Sequence, residues 1–227
     1  MRRFTGHGAD RWGSFVDVRI NAPEVLARQL KQRRQGSLLF GSVTDCYMPL
    51  ESRYRLTRRC LEVLAANPGG LAVSVLTKSA LVTRDIDLLR DLKADVGITI
   101  TSHEDSVARV FEPLASAPSE RIAALRELHR QGLSTYVFVG PILPGLTDVT
   151  RIIEAVQDCV GSAMGEVLNF RGCASDCTSL VERRFPRARD AWSLARSNHA
   201  RFAQKSRKEI VTACRHYHVK LAGFYVH

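Results

Sequence analysis

Short apolar runs alternate along the chain with longer stretches in which apolar residues recur every three or four positions. The runs have the length of buried strands, and the periodic stretches have the length of amphipathic helices. We predict strands over residues 37–42, 71–77, 96–101, 135–139 and 166–170, and helices over residues 53–66, 85–92, 119–131 and 149–160. Strands that alternate with helices in this way form a parallel sheet with helices packed outside it. The pattern therefore predicts an α/β fold that closes into a partial or a full barrel.

A different pattern follows residue 171. Residues 186–217 are rich in Arg and Lys and predict one long or two short basic helices, and residues 219–226 could form a terminal strand. We therefore divide the chain into an N-terminal segment over residues 1–35, a β/α core over residues 36–171 and a C-terminal helical extension over residues 172–227.

Charge and composition bear on the partners of the protein. The formal net charge of the 227 residues is +10, which favours a polyanionic partner such as nucleic acid. The alternative is that the charge lies on solvated basic helix faces. No apolar run is long enough to span a membrane, and no apolar stretch follows the first arginines. We expect a cytoplasmic protein without a membrane partner, whose six cysteines are reduced.

Polar residues follow four of the predicted strands. They are Ser42, Thr44 and Asp45 after the first strand, Lys78 and Ser79 after the second, Ser102 and His103 after the third, and Asp148 with exposed glycine backbone after the fourth. The ends of parallel strands meet at one edge of a sheet, where α/β proteins bind ligands. These residues predict a site for a polar ligand that carries a carboxylate, an amine and hydroxyl groups. Helix capping is the alternative for each of them.

Four sequence blocks occur in order: FGSVTDCYMPLESRYRLTRRCLEVL, VSVLTKSALVTRDIDLL, VGITITSHED and YVFVGPILPGLTD. Together they resemble the radical S-adenosylmethionine proteins of the spore photoproduct lyase type, often described as DNA repair photolyase-like. The resemblance extends from residue 1 to about residue 150, with a looser match near the C-terminus. It implies a partial (β/α) barrel of the radical S-adenosylmethionine type and iron–sulfur-dependent radical chemistry, with nucleic acid as one candidate substrate.

The same resemblance raises a question about the iron–sulfur cluster. In that family, sequence similar to MRRFTGH follows directly after a Cys-x3-Cys-x2-Cys motif, whose thiolates hold a [4Fe–4S] cluster. The resemblance therefore implies that the first strand and the cluster loop are absent, and that the chain is a truncated frame, inactive as given. Cys173 and Cys177 have the first spacing of the motif, but Leu180 occupies the third position. We expect S-adenosylmethionine and the cluster to serve the full-length family, with flavodoxin or ferredoxin as electron donor, and no cluster to bind this chain.

The first two blocks supply the candidates for the amino-acid end of S-adenosylmethionine. By resemblance, Ser42, Thr44 and Asp45 end the strand that faces this part of the ligand. Lys78 resembles the lysine that contacts the ligand carboxylate, which suits its compact positive charge. Cys46 lies on the same rim and is the one catalytic candidate, as a hydrogen donor.

The last two blocks supply the candidates for the nucleoside end of the ligand. The resemblance places Thr99 and Thr101 where the ribose is contacted. It places the backbone of Gly140, Pro141 and Ile142 where the adenine is contacted.

Two other functions stay open at this point, so the chain is not assigned as an enzyme from sequence. It could be a cluster-less relative that binds a nucleotide-like ligand or nucleic acid without catalysis. It could also be a remnant or an interaction module, in which the basic C-terminal helices bind phosphates with an affinity that falls as salt rises.

Overall fold

Six parallel strands form one sheet in the order of the chain. The computed structural model describes residues 6–7, 9–10, 14–32, 35–171 and 174–226. The strands are β1 (Gln35–Phe40), β2 (Gly70–Thr77), β3 (Asp95–Ile100), β4 (Ser134–Ile142), β5 (Ser162–Val167) and β6 (Lys220–Tyr225). Each strand pairs in parallel with the next one along the chain. The sheet is an α/β half-barrel with helices packed outside it, which confirms the predicted fold class.

The helices connect successive strands. They are α1 (Ala22–Leu30), α2 (Glu51–Tyr54), α3 (Leu56–Ala66), α4 (Ile86–Asp91), α5 (Asp105–Phe111), α6 (Pro118–Arg130), α7 (Val149–Val156), α8 (Ala174–Arg184), α9 (Arg189–Ser197) and α10 (His199–His216). Short 3₁₀ helices cover Ala80–Asp85 and Pro186–Ala188. In the described part of the chain, no helix combines the length and the apolar character needed to cross a membrane.

One face of the sheet is buried against the helices. Val75, Ile98 and Val137 on the central strands pack in one core with Leu125 of α6 and Ile153 of α7. Because side chains alternate across a strand, the neighbouring residues point to the other face, which is the inner surface of the half-barrel. The inner-surface residues near the carboxyl ends of the strands therefore lie at the rim where a ligand can bind.

A second apolar cluster attaches the C-terminal helices to the barrel. Trp192 of α9 is almost fully buried and packs with Leu143 and Leu146 from the loop after β4 and with Val107 of α5. Its indole nitrogen donates to the hydroxyl of Thr178, 3.2 Å away. The C-terminal helices are thereby fixed beside the strand ends of β3 and β4.

The sheet continues beyond the predicted core. β6 pairs with β5, and Ile210 of α10 is buried in the same core as the central strands. The segment over residues 172–227, expected to be a helical extension, therefore contains the last strand of the sheet. The basic region forms the shorter helices α9 and α10, which meet at Asn198, where the backbone leaves the helical conformation.

Several boundaries differ from the sequence prediction: β1 ends at Phe40 rather than at residue 42, β4 ends at Ile142 rather than at residue 139, and α2 and α3 replace the single helix predicted over residues 53–66. The sequence predicts the fifth strand over residues 166–170, whereas β5 lies at Ser162–Val167, and α7 ends at Val156 rather than at residue 160. β5 includes Ala163 and Gly165, which have low strand propensity, so its position depends on the pairing with β4. Cys173 and parts of the segment over residues 1–35 lie outside the described residues.

Candidate functional site

The polar residues predicted at the strand ends meet at one rim of the half-barrel. The loops after β1, β2, β3 and β4 lie side by side there, since these strands are adjacent and parallel. Hydrogen bonds connect the loops directly to one another. The rim is consequently a rigid surface built from four neighbouring loops.

Asp45 connects the loop after β1 to the end of β2. Its Oδ1 accepts hydrogen bonds from the Thr77 hydroxyl at 2.6 Å and from the Tyr47 backbone N–H at 2.8 Å. Its Oδ2 accepts from the backbone N–H of Lys78 at 2.7 Å. Both carboxylate oxygens are thus engaged within the protein, and Asp45 positions the backbone of Lys78.

A buried carboxylate, Asp85, organises the base of the same loop. Asp85 is fully buried and accepts hydrogen bonds from the Tyr47 hydroxyl at 3.0 Å, from Arg58 at 2.9 Å and from Arg84 at 2.7 Å and 2.8 Å. Burial opposes ionisation of Asp85, but the two arginines outweigh it and hold the pKa below its ordinary value. Arg58 of the YRLTR segment and Arg84 and Asp85 of the TRDID segment therefore form a structural network.

Glu51 extends this network to the start of α3. Its carboxylate accepts from the backbone N–H groups of Thr57 at 3.1 Å and of Arg58 at 3.3 Å, which lie in the first turn of the helix. It also accepts from Arg84 at 2.8 Å. Because helix N-termini favour negative charge, this contact fixes α3 relative to the rim loop.

Lys78 places an ammonium group at the rim. Its side chain is 32% exposed, and its Nζ lies 2.5 Å from Oε1 of Glu112, a residue at the end of α5 that is 10% exposed. The Thr101 hydroxyl lies 2.7 Å from the same glutamate oxygen. Burial opposes ionisation of Glu112, but Lys78 and Arg121 outweigh it and keep its pKa below the ordinary value.

Arg121 holds the other side of Glu112. The guanidinium is fully buried and donates to Oε2 of Glu112 at 2.6 Å, to the Thr99 carbonyl at 2.9 Å and to the Ser116 carbonyl at 2.7 Å. None of the sequence blocks points to Glu112 or Arg121 as a site residue. The sequence does contain one indication for Arg121. Residues 121, 125 and 128 share the apolar face of α6, and an arginine at a buried position of such a face is unusual.

The two predicted ribose contacts are both buried. Thr99 is 6% exposed and its carbonyl accepts from Arg121. Thr101 is 1% exposed, its hydroxyl also lies 2.9 Å from the Gly140 carbonyl, and its own carbonyl accepts from Thr147 at 2.6 Å. Thr101 therefore connects the ends of β3 and β4.

The predicted adenine contacts lie beside Thr101 at the end of β4. Gly140 is buried and packs against Phe138 and Glu166, since a Cβ there would lie 2.7 Å from the Phe138 ring. The Ile142 side chain is 2% exposed and belongs to the helix-facing core. Pro141 is partly buried between them. The structure thus places these three residues beside the two threonines, with the Ile142 side chain pointing away from the inner surface.

The remaining candidates lie in the loop after β1. Ser42 and Thr44 are exposed, and Cys46 is partly buried behind Gly41, where an added Cβ would lie 3.6 Å from Sγ. Burial, reinforced by Asp45, raises the pKa of the Cys46 thiol far above its ordinary value. This thiol is therefore protonated at neutral pH, which excludes a thiolate nucleophile and retains the hydrogen that a donor needs.

The cysteines of the described residues do not form a cluster site. No group of three or more His, Cys, Asp or Glu side chains there could hold a metal ion. Cys60, Cys159 and Cys214 are buried, and burial raises the pKa of each to about 11. The described residues therefore do not fit a [4Fe–4S] cluster.

The six parallel strands and their helices form a partial (β/α) barrel. Solved structures of spore photoproduct lyase have this fold. A mutant with bound AdoMet and dinucleoside spore photoproduct matches with a TM-score of 0.64 at 15% identity, over 93% of this chain and 68% of that chain. Another mutant of that enzyme matches with a TM-score of 0.64 at 15% identity, over 92% of this chain and 68% of that chain.

The chain also has relatives in sequence. An uncharacterized protein of Methanocaldococcus jannaschii is 32% identical over 177 residues, which cover 78% of this chain and 66% of the relative. An uncharacterized protein of Acidianus two-tailed virus is 33% identical over 71% of this chain and 56% of its own length. A radical SAM Nα-GlyT isomerase of Pseudomonas phage M6 is 26% identical over 66% of this chain and 32% of its own length. The chain thus spans less than two thirds of the length of each of these relatives, and no protein-family model matches it.

The Asp85 network predicts a pH-dependent loss of stability. We expect Asp85→Asn to lower the free energy of unfolding by about 3 kcal/mol at pH 7, because it leaves two arginines without their buried partner. Since the folded pKa of Asp85 is lowered, its contribution is present above the ordinary pKa of aspartate and declines as the pH falls through the folded value. Urea unfolding at pH 7 and at pH 3 measures this. Asp91→Asn, at an exposed position, is the control, and an equal loss in both variants at pH 7 would contradict the assignment.

The protonated state of Cys46 predicts slow alkylation. At pH 7 iodoacetamide should modify Cys46 far more slowly than it modifies glutathione, and at pH 9 the rate should have risen without levelling off and should still be far below that of glutathione, because the reactive thiolate fraction falls tenfold for each pH unit below the pKa. Mass spectrometry of the Cys46 peptide at timed intervals measures the rate. A rate that matches that of glutathione and levels off towards pH 9 would show a thiol of ordinary pKa and would contradict the assignment.

Proposed function

We propose that this chain is a radical S-adenosylmethionine protein whose rim at the ends of β1 to β4 binds S-adenosylmethionine. The observation that supports the proposal most is the Lys78 ammonium group, which is held at the rim of a half-barrel of this type by Glu112. Two comparisons add support, because one structural neighbour has bound AdoMet and the phage relative is named a radical SAM isomerase.

Lys78 is the proposed contact of the ligand carboxylate. An ammonium group has three donors, and one of them is directed at Glu112. The partly exposed side chain leaves room for a second acceptor from the ligand. Ser42 and Thr44 lie in the exposed loop after β1 and are the proposed contacts for the polar amino-acid end, while Asp45 holds the Lys78 backbone in place.

The proposed nucleoside contacts lie farther along the rim. Thr99, on the inner side of β3, is the proposed ribose contact, and the Gly140–Pro141–Ile142 backbone is the proposed adenine contact. The Thr101 hydroxyl is engaged with Glu112 and Gly140, so its proposed role is to fix the two strand ends between which the ribose lies.

The iron–sulfur cluster enters this proposal only as a property of the family. Where a reduced cluster is bound, S-adenosylmethionine is the source of a 5′-deoxyadenosyl radical. The described residues do not fit the cluster, so the proposal for all of them except Cys46 is restricted to binding and orienting the ligand. Cys46 stays the proposed hydrogen donor, because its thiol keeps its proton near the rim.

A second candidate function is nucleic-acid binding by α10. Arg201, Lys205, Lys208 and Arg215 recur at helical spacing and are all exposed. Ile210 and the other buried positions of the helix lie on the opposite face. A stripe of cations along one exposed helix face suits the phosphate backbone of a nucleic acid.

Ligand binding tests the main proposal. Titration calorimetry of the chain with S-adenosylmethionine should show 1:1 binding, and Lys78→Met should weaken it by roughly tenfold or more, because a charged hydrogen bond is lost. Lys31→Met, at an exposed position on the C-terminal side of α1, is the control and should bind as the wild type does. Absence of binding to the wild-type chain at millimolar ligand would overturn the proposal.

Salt dependence tests the second candidate. The triple variant Arg201→Ala, Lys205→Ala and Lys208→Ala should bind a single-stranded oligonucleotide more weakly and reduce the slope of log K against log salt by about 2, at roughly 0.7 per phosphate contact. Fluorescence anisotropy at salt concentrations from about 50 to about 200 mM measures both the affinity and the slope. An unchanged slope would show that this stripe is only a solvated helix face.

A further inference from the structure

We propose that Glu112 and Arg121 are positioning residues that aim Lys78 at a carboxylate group of the ligand and give this end of the site its selectivity for that group. The inference rests on the proposed function, since it concerns the same rim. It adds two residues that the sequence motifs do not include. Neither residue contacts the ligand in this proposal, and both act through Lys78.

Glu112 fixes the position of the Lys78 ammonium group. Its Oε1 lies 2.5 Å from Nζ of Lys78 and 2.7 Å from the hydroxyl of Thr101. The glutamate comes from the end of α5, whereas Lys78 follows β2 and Thr101 follows β3. One carboxylate oxygen thus joins three separate elements, and a lysine side chain that would otherwise sample many rotamers is held in one direction.

Arg121 fixes Glu112 in turn. The arginine is fully buried, and it uses separate nitrogens for Glu112, for the Thr99 carbonyl and for the Ser116 carbonyl. Because the Thr99 carbonyl belongs to β3, the guanidinium is anchored to the sheet itself. A guanidinium group anchored in this way stays in place and keeps Glu112 in place. The buried side of the site therefore fixes the direction in which the Lys78 side chain points.

The burial of the three charged groups shows which of them a ligand can reach. Lys78 and Arg121 carry one positive charge each, and Glu112 carries one negative charge, so the three groups together have a net charge of +1. Glu112 is 10% exposed and Arg121 is fully buried, so water screens this charge only on the Lys78 side. Because the carboxylate of Asp45 also lies against the Lys78 backbone, we assign the selectivity for a ligand carboxylate to the direction of the Lys78 ammonium group and not to the net charge of the site.

The alternative is that Glu112 and Arg121 only stabilise the fold. A purely structural role would weaken all ligands of the rim equally when Glu112 is changed. A positioning role weakens only ligands that carry the carboxylate, and only while Lys78 is present. Ligand comparison combined with a double-mutant cycle therefore separates the two roles.

The experiment measures Kd by titration calorimetry for S-adenosylmethionine and for decarboxylated S-adenosylmethionine. The proteins are the wild type, Glu112→Gln, Glu112→Asp, Lys78→Met and the double variant Lys78→Met with Glu112→Gln. Glu112→Asp keeps the negative charge and a carboxylate partner for Arg121, but its side chain is one methylene shorter, so the carboxylate lies farther from Lys78. This variant still tests the positioning role if Glu112→Gln does not fold. Glu127→Gln, at a glutamate of α6 that pairs with Arg130 near the surface, is the matched control.

We expect Glu112→Gln and Glu112→Asp to weaken S-adenosylmethionine binding by roughly five- to tenfold and to change the Kd of the decarboxylated ligand by less than about twofold. In the Lys78→Met background, Glu112→Gln should have no further effect. Equal losses for both ligands, or a loss that persists without Lys78, would overturn the inference while the proposed function stands. Absence of binding of either ligand to the wild type would overturn both.

Discussion

Parallel pairing of all six strands is the constraint on which the rest of this structure depends. It forces every connection to return across the outside of the sheet, which places the helices on one face. It also brings the ends of β1, β2, β3 and β4 to a single rim, although their loops are far apart in the sequence. Lys78 and Thr101 can share the oxygen of Glu112 only because β2 and β3 are adjacent and parallel.

Asp85 and Glu112 both secure this rim, and they do so in different ways. Asp85 lies beneath the first loop and is neutralised by two arginines, so it serves the architecture of the loop. Glu112 lies at the rim itself and is shared by a buried arginine and a partly exposed lysine. The Asp85 network serves only the architecture of the loop, whereas the Glu112 network presents the Lys78 ammonium group at the rim. This difference is why we assign ligand binding to the second network.

Much of the fold could be predicted from sequence, because hydrophobic periodicity is strong in the central strands and in the helices around them. The pattern misplaces β5, because Ala163 and Gly165 carry little strand preference and are held by pairing with β4. Lys78 could be proposed from the resemblance to a family. Glu112 could not, because a glutamate at the end of α5 has no local pattern that relates it to Lys78, and their contact arises only from packing.

The measurement that tests the central claim most directly is a crystal structure of the chain with S-adenosylmethionine added. We predict that the ligand lies along the rim, with its carboxylate within about 3 Å of Nζ of Lys78 and with the Lys78–Glu112 contact retained. A ligand that binds elsewhere on the molecule, or one whose carboxylate points away from Lys78, would contradict the claim that this rim is the binding site.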